Sequence, residues 1–205
     1  MKGDKMKVTR EIAETVLSMV DAGLVAGVGV PEPGKMCVEA AVCYAMGLPH
    51  GDNPSCVSPV LRSLKITLND AQWSLPQARA MGLRRLALAQ LGSAGVLNEL
   101  EFVERVALMT VQQVVPRALR VVAALEPHVP AFQALEIAAL ACAGVCNLTA
   151  ASDVASDAAS DAVSAARAAS YADVELAFFA EQVVQILIAM DVPGCQWLDL
   201  APVTV

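Results

Sequence analysis

The first informative property of this sequence is the absence of long apolar runs. The longest apolar windows, residues 106–115, 137–146 and 183–190, fall short of the roughly 18 uncharged apolar residues that a membrane-spanning helix needs. The N-terminal residues also lack the apolar segment of a secretory signal peptide. The sequence therefore predicts no membrane partner and a cytoplasmic location, where the six cysteines are expected to be reduced thiols.

Positive charge is scarce as well. The chain has 14 Lys and Arg against 21 Asp and Glu, which gives a net charge of −7. Proteins that bind along a nucleic-acid backbone need a positive footprint, so no nucleic-acid partner is predicted. The one basic cluster, Arg79, Arg84 and Arg85, lies on one predicted helix and is typical of a solvated or salt-bridged face.

Aromatic residues make up only 4% of the chain, although hydrophobic residues reach 56%. The apolar mass is therefore small and aliphatic, and it is rich in alanine, the best intrinsic helix former. We predict an all-α fold, a compact bundle of six or seven helices with an Ala-rich C-terminal helical part. Residues 1–205 are predicted to form a single domain, with a possible subdivision into a loop-rich part, 1–92, and an Ala-rich part, 93–205.

Capping residues predict where the first helices begin and end. Thr9 is the expected N-cap of the first helix and Gly23 its stop signal. A second helix is expected over residues 35–46. Ser58 followed by Pro59 predicts the start of a third helix. Ser74 with Gln77 has capping-box spacing and predicts a fourth helix that reaches about residue 91.

The second half of the chain predicts longer and more apolar helices. A helix opening at Asn98 should extend toward residue 125 with a distortion at Pro116. The helix near residues 131–146 is apolar on nearly every side, which predicts burial all round in a core or a subunit interface. A last helix is expected over residues 175–190, and Trp197, in the tail after it, is expected to dock on the body of the protein.

A Ser-Asp pair recurs every four residues between these helices, at positions 152–153, 156–157 and 160–161. Because four is close to the 3.6-residue helical period, the pairs would form a polar stripe opposite a smooth alanine face. The alternative is a disordered Ala/Ser linker. Both interpretations remain open at the level of the sequence.

Two motif matches do not support a cofactor. Residues 29–35 fit the spacing of a phosphate-binding loop, but Pro31 and Pro33 remove backbone donors and Glu32 would oppose the phosphates. A helix-entry turn is the preferred interpretation. Cys142 and Cys146 share a helical face, but the other thiols lack zinc-site spacing. No cofactor and no metal are predicted.

Cys37 is a candidate nucleophile because it lies at the start of a predicted helix, where a thiol pKa is often lowered. His50 and Asp52 follow the end of that helix and supply the other residue types of a thiol triad. A helix of about 11 residues spans roughly 16 Å, so His50 reaches Cys37 only if its loop folds back. The hypothesis of a cysteine-dependent enzyme competes with that of buried, inert thiols.

A small-ligand site is a further hypothesis. It would use the turn-rich loop at residues 49–53, with Asn53, Trp73 and Arg79 as binding residues. The competing interpretation is that the polar side chains of this loop cap helix ends and satisfy the turn backbone.

Several blocks carry a resemblance: GKMCVEAAVCYAMGLPHGDNPSCV, LRSLKITLND, GLRRLALAQLGSAG and the ending PGCQWLDL. With these blocks, residues 21–200 resemble a family of bacterial proteins that combine them with variable Ala/Ser-rich helices. The resemblance implies a bacterial, cytoplasmic origin. It implies no activity, ligand or catalytic residue.

The leading functional hypothesis is a non-enzymatic structural or interaction protein. It would form a homo-oligomer through apolar helical faces, because interfaces that resemble a bisected core absorb surplus aliphatic side chains.

Overall fold

The computed structural model describes residues 8–124, 130–144 and 172–203, and these residues form an all-helical structure, as predicted. Within them, a single β-bridge between Gly29 and Met36 is the only β-type pairing. The described part of the chain contains eight α-helices, more than the six or seven predicted. They are α1 (Arg10–Asp21), α2 (Val38–Ala45), α3 (Pro59–Asn69), α4 (Pro76–Ala89), α5 (Glu99–Met109), α6 (Val115–Ala123), α7 (Pro130–Ala143) and α8 (Ala172–Ala189).

The chain divides into two compact units. Unit 1 comprises Met1–Glu99 and Ala180–Val205, and unit 2 comprises Leu100–Phe179. Unit 1 therefore holds α1 to α4 and the second half of α8. Residues 180–205 cluster with the N-terminal helices, whereas the predicted subdivision placed them with the Ala-rich part.

The first helix of unit 1 begins as its cap predicts. The Oγ1 of Thr9 accepts a hydrogen bond from the Ile12 amide at 3.4 Å, and α1 buries one face that includes Val16 and Val20. This face packs against α4 and α2. The third helix also begins at Pro59, as predicted, and it ends at Asn69.

Two helix starts differ from the prediction. Helix α2 begins at Val38 rather than at residue 35, with Cys37 as its N-cap. Helix α4 has Leu75 as its N-cap, one residue after the predicted Ser74. The physical reason is Pro76, whose fixed φ and missing amide suit the first helical position.

A π-helical segment, Thr110–Val114, separates α5 from α6 in unit 2. Pro116 cannot donate a backbone hydrogen bond, and its ring would clash with the carbonyl four residues earlier. The wider π turn accommodates this, and the Val115 amide donates to the Thr110 carbonyl instead. The predicted distortion at Pro116 is thus a local widening within a continuous helical path.

Among the described side chains of helix α7, some are buried and others are exposed. Ala139 and Cys142 are fully buried, and Arg120 of α6 forms an ion pair with Glu136 of α7 at 3.2 Å. Ile137 and Leu140, however, are 70% and 60% exposed. Within the part of the chain that the structure describes, this helix is therefore not buried all round, which differs from the prediction. The predicted Ser-Asp stripe and Cys146 lie outside the described residues.

A 3₁₀-helix, Pro193–Leu200, follows α8 and packs on α4 in unit 1. Gly194 is buried against the backbone of residues 88–91, where a Cβ atom would not fit. The side chain of Trp197 is half-buried, so the tail docks on the body of unit 1 as expected.

Candidate functional site

Cys37 lies at the N-terminus of α2, where its Sγ accepts a hydrogen bond from the Ala40 amide at 3.3 Å. The residue is only 4% exposed. Burial raises the pKa of the Cys37 thiol, and this outweighs the opposite effect of the Ala40 and Glu39 amides. The thiol is therefore protonated at neutral pH, which is the state of a buried packing cysteine rather than of an activated nucleophile.

The loop that carries His50 does fold back. His50 Nε2 lies 3.0 Å from the carbonyl oxygen of Gly29, in the connector that precedes α2. Asp52 Oδ1 lies 3.8 Å from Arg62 Nη1. The imidazole thus binds a backbone carbonyl, and Asp52 faces an arginine. The proposed triad members occupy one region of unit 1 without forming the hydrogen-bonded chain that a thiol triad uses.

A small cavity of about 50 Å³ lies at the N-terminus of α2. It has room for a few water molecules and is far below the several hundred Å³ of a pocket for a drug-sized ligand. Cys37 and Asp52 contribute to its wall, and His50 does not. The lining residues are Gly27, Val28, Cys37, Val38, Glu39, Asp52, Ile66, Asn69 and Asp70.

Two of the three residues of the ligand-site hypothesis, Trp73 and Arg79, bind the backbone at the end of α3 instead. Trp73 is 7% exposed, and its Nε1 donates to the Leu68 carbonyl at 2.9 Å. The Nε of Arg79 donates to the Asn69 carbonyl at 2.7 Å. Asn53 is exposed, and none of Asn53, Trp73 and Arg79 lines the cavity. Trp73 and Arg79 therefore satisfy the backbone carbonyls that the helix end leaves open.

The predicted arginine face is correct in part. Arg84 forms a two-point ion pair with Asp21, and Arg85 pairs with Glu181 at 2.9 Å. Arg79 departs from the prediction because it is buried, with its Nη1 donating to the Leu24 carbonyl at 3.0 Å.

Glu39 of α2, Lys65 of α3 and Gln90 at the end of α4 form a buried polar cluster that is absent from the predictions above. All three side chains are 0% exposed. Lys65 Nζ lies 3.5 Å from Glu39 Oε1, which is an ion-pair distance but long for a hydrogen bond. By strict geometry, the five polar side-chain atoms of the cluster have no hydrogen-bond partner among the described residues. Lys65 and Gln90 nevertheless lie close enough to Glu39 to lower the pKa of its carboxyl group. Leaving a buried polar group without a well-aligned hydrogen bond costs about 1–3 kcal/mol.

The cluster shifts the pKa of both its ionisable members toward the neutral form. Burial raises the pKa of Glu39 above its ordinary value, and the nearby Lys65 ammonium offsets this only in part. Burial likewise lowers the pKa of Lys65, against the attraction of Glu39. Removal from water thus outweighs the mutual attraction in both cases, so the pair is a net cost to the folded state near neutral pH.

A signal for this cluster was present in the sequence. Lys65 lies four residues after Leu61 and three before Leu68, on the stripe of α3 that faces the core. Glu39 interrupts the apolar run of α2. Helical periodicity places both charges on buried faces. Their proximity depends on the packing of α2 against α3, which the sequence does not reveal.

Unit 2 presents a second candidate, an exposed apolar surface along α7 and its C-terminal turn. We call it the α7 stripe and define it as Ile137, Leu140, Ala141 and Gly144. The spacing of three and four residues places all four on one helix face, and all four are exposed. No charged side chain belongs to the stripe.

No family model, curated protein or solved structure matches this chain. The resemblance to a bacterial family stays a prediction. Among residues 8–124, 130–144 and 172–203, no helix has the length and apolar composition to cross a membrane. No group of three His, Cys, Asp or Glu side chains in those ranges is placed to hold a metal ion.

Proposed function

We propose that the protein is a non-enzymatic interaction protein that self-assembles through the α7 stripe of unit 2. The observation that carries the proposal is the exposure of Ile137 and Leu140, 70% and 60%, on a helix whose opposite side is packed. Large aliphatic side chains in adjacent positions favour removal from water. A second copy of the chain is the occupant that we propose for this surface.

The chemistry of the stripe suits a helix–helix contact between identical chains. Ala141 and Gly144 are small, so a second helix can approach near the 8 Å end of the usual 8–10 Å range. A two-fold interface brings the same patch from both copies together, and an uncharged stripe meets its own copy without repulsion. The high hydrophobic content of the chain, 56%, fits an apolar interface.

The expected affinity follows from the area still exposed. Full burial of an Ile or Leu side chain contributes about 1.5–3 kcal/mol, so the exposed part of each contributes about 1–2 kcal/mol. Two copies bury four such side chains, or about 4–8 kcal/mol in total. Association costs at least about 4 kcal/mol, so the α7 stripe alone gives weak assembly. Leu100 and Val103 of α5, which are also exposed, offer further apolar surface in unit 2.

Sedimentation equilibrium across a concentration series from about 10 μM to 2 mM tests the proposal, because a net free energy of about 4 kcal/mol corresponds to a Kd of about 1 mM. The weight-average mass should rise with concentration for the wild type. Leu140→Glu places two carboxylates against each other in a two-fold contact and should weaken assembly by about tenfold or more. Because Leu140 is exposed, this change should leave the fold intact.

Met81→Glu is the matched control. Met81 lies on α4 in unit 1 and is 66% exposed, so the substitution makes the same chemical change away from the α7 stripe. Its assembly should equal that of the wild type. A wild type that remains monomeric throughout the series would contradict the proposal, as would equal effects of the two substitutions.

The cytoplasmic location is part of the same proposal. It is supported by the five cysteines of the described residues, which are all free thiols.

A further inference from the structure

We infer that unit 1 opens locally to water at the Glu39–Lys65–Gln90 cluster, and that this opening controls access to the Cys37 thiol. The cluster belongs to unit 1, whereas the proposed assembly uses unit 2. The opening gives a conformational role to three side chains that belong to no candidate catalytic site or interface.

The cluster joins three helices at one point. Glu39 comes from α2, Lys65 from α3 and Gln90 from the end of α4, and each side chain is completely buried. The guanidinium of Arg62, also on α3, lowers the pKa of Glu39 in addition to Lys65. A separation of α2 from α3 would hydrate both charges and the amide together.

The α2–α3 contact at this cluster differs energetically from the apolar contacts of the core. Opening a purely apolar contact exposes hydrophobic surface and gains nothing in return. Opening at this cluster also supplies hydrogen bonds to five buried polar atoms that lack well-aligned ones. Local opening occurs where its free-energy cost is lowest, so the α2–α3 contact is the favoured place.

The cavity at the N-terminus of α2 provides the route. It is bordered by Glu39 on one helix and by Ile66 and Asn69 on the other, so water reaches the α2–α3 contact from this side. Cys37 lines the same cavity and is only 4% exposed in the closed form. A small separation of the two helices therefore exposes its Sγ without global unfolding.

Alkylation of the native protein with iodoacetamide, followed by mass spectrometry of each cysteine, measures this opening. Tryptophan fluorescence gives the global unfolding of unit 1 in parallel, because both Trp73 and Trp197 lie in that unit. At low denaturant, Cys37 should react at least about tenfold faster than global unfolding permits, with little dependence on denaturant. Glu39→Met/Lys65→Met should slow this reaction by about tenfold.

The matched control is Glu32→Gln/Lys35→Met, which removes an exposed ion pair from the same unit. It should leave the Cys37 rate unchanged. Gln90→Leu provides a second test that keeps the ion pair, and it should also slow the reaction. If Cys37 reacts only through global unfolding, with the full denaturant dependence, the inference is overturned. An unchanged Cys37 rate in both cluster variants overturns it equally.

Discussion

Replacement of Glu39 and Lys65 together by methionine is expected to raise the free energy of unfolding of unit 1 by about 1–4 kcal/mol at neutral pH. Methionine is close to both side chains in length and adapts to irregular core space. The substitution removes two buried charges while keeping most of the packing between α2 and α3. The gain would be unusual for a change at two fully buried positions, since most core substitutions destabilise.

The magnitude follows from the geometry of the pair. At 3.5 Å the attraction between the two charges is about 5 kcal/mol if the effective dielectric constant is about 20. Removing each ion from water costs several kcal/mol, so two ions cost more than the attraction returns. Lys65→Met alone leaves Glu39 buried without a counter-charge and should lower the free energy of unfolding by about 3–5 kcal/mol.

The pH dependence follows from the directions of the two pKa shifts. The Glu39 pKa is raised above 4.5, so its stabilising contribution is present below pH 4.5 and lost as pH rises through the folded-state pKa. The Lys65 pKa is lowered below 10.5, so its contribution is present above pH 10.5 and lost as pH falls through the folded-state pKa. The wild type is therefore penalised most near neutral pH, and the gain in the double variant is largest there.

Guanidinium unfolding monitored by tryptophan fluorescence near pH 4 and near pH 7 is the appropriate assay, because it reports on unit 1. Glu32→Gln serves as a comparison, because its partner Lys35 is only 2.7 Å away but both side chains are exposed. That change should alter stability by less than about 1 kcal/mol. A double variant that is less stable than the wild type at pH 7, or a gain that does not depend on pH, would refute the reasoning.

Two further predictions concern unit 1. Burial raises the pKa of Cys43 from 9.0 to about 11, so its contribution to stability is intact below pH 9 and is lost as pH rises toward 11. In urea unfolding, the wild type should lose on the order of 2 kcal/mol more stability than Cys43→Ala between pH 9 and pH 11. Equal losses in the two proteins would contradict the raised pKa of Cys43. Gly194→Ala forces a Cβ into the backbone of α4 at Leu88 and should lower stability by about 1–3 kcal/mol in thermal unfolding. Gly51→Ala, whose Cβ would meet only the Pro49 carbonyl oxygen at an ordinary contact distance of 4.0 Å, should be close to neutral. Similar effects of the two substitutions would count against the packing of the 3₁₀-helix on α4.

The fold class and several helix boundaries of this protein follow from local residue chemistry. Thr9, Pro59 and Pro116 act through their own backbone or side-chain chemistry, so their effects are local and can be read from the chain. Alanine likewise favours helix formation wherever it occurs in the chain. The shortage of aromatic residues adds to the same preference. These properties need no knowledge of which helix packs against which.

The environment of each polar side chain, in contrast, depends on how the helices pack. Arg79 was predicted to be on a solvated or ion-paired face and lies buried on backbone carbonyls, and Lys65 meets Glu39 inside the core. The thiol of Cys37 lies at a helix N-terminus, the position that predicts a lowered pKa. Burial raises its pKa instead. The physical reason is that desolvation depends on neighbours that are distant in the chain, and the pattern of residues along one helix does not specify those neighbours.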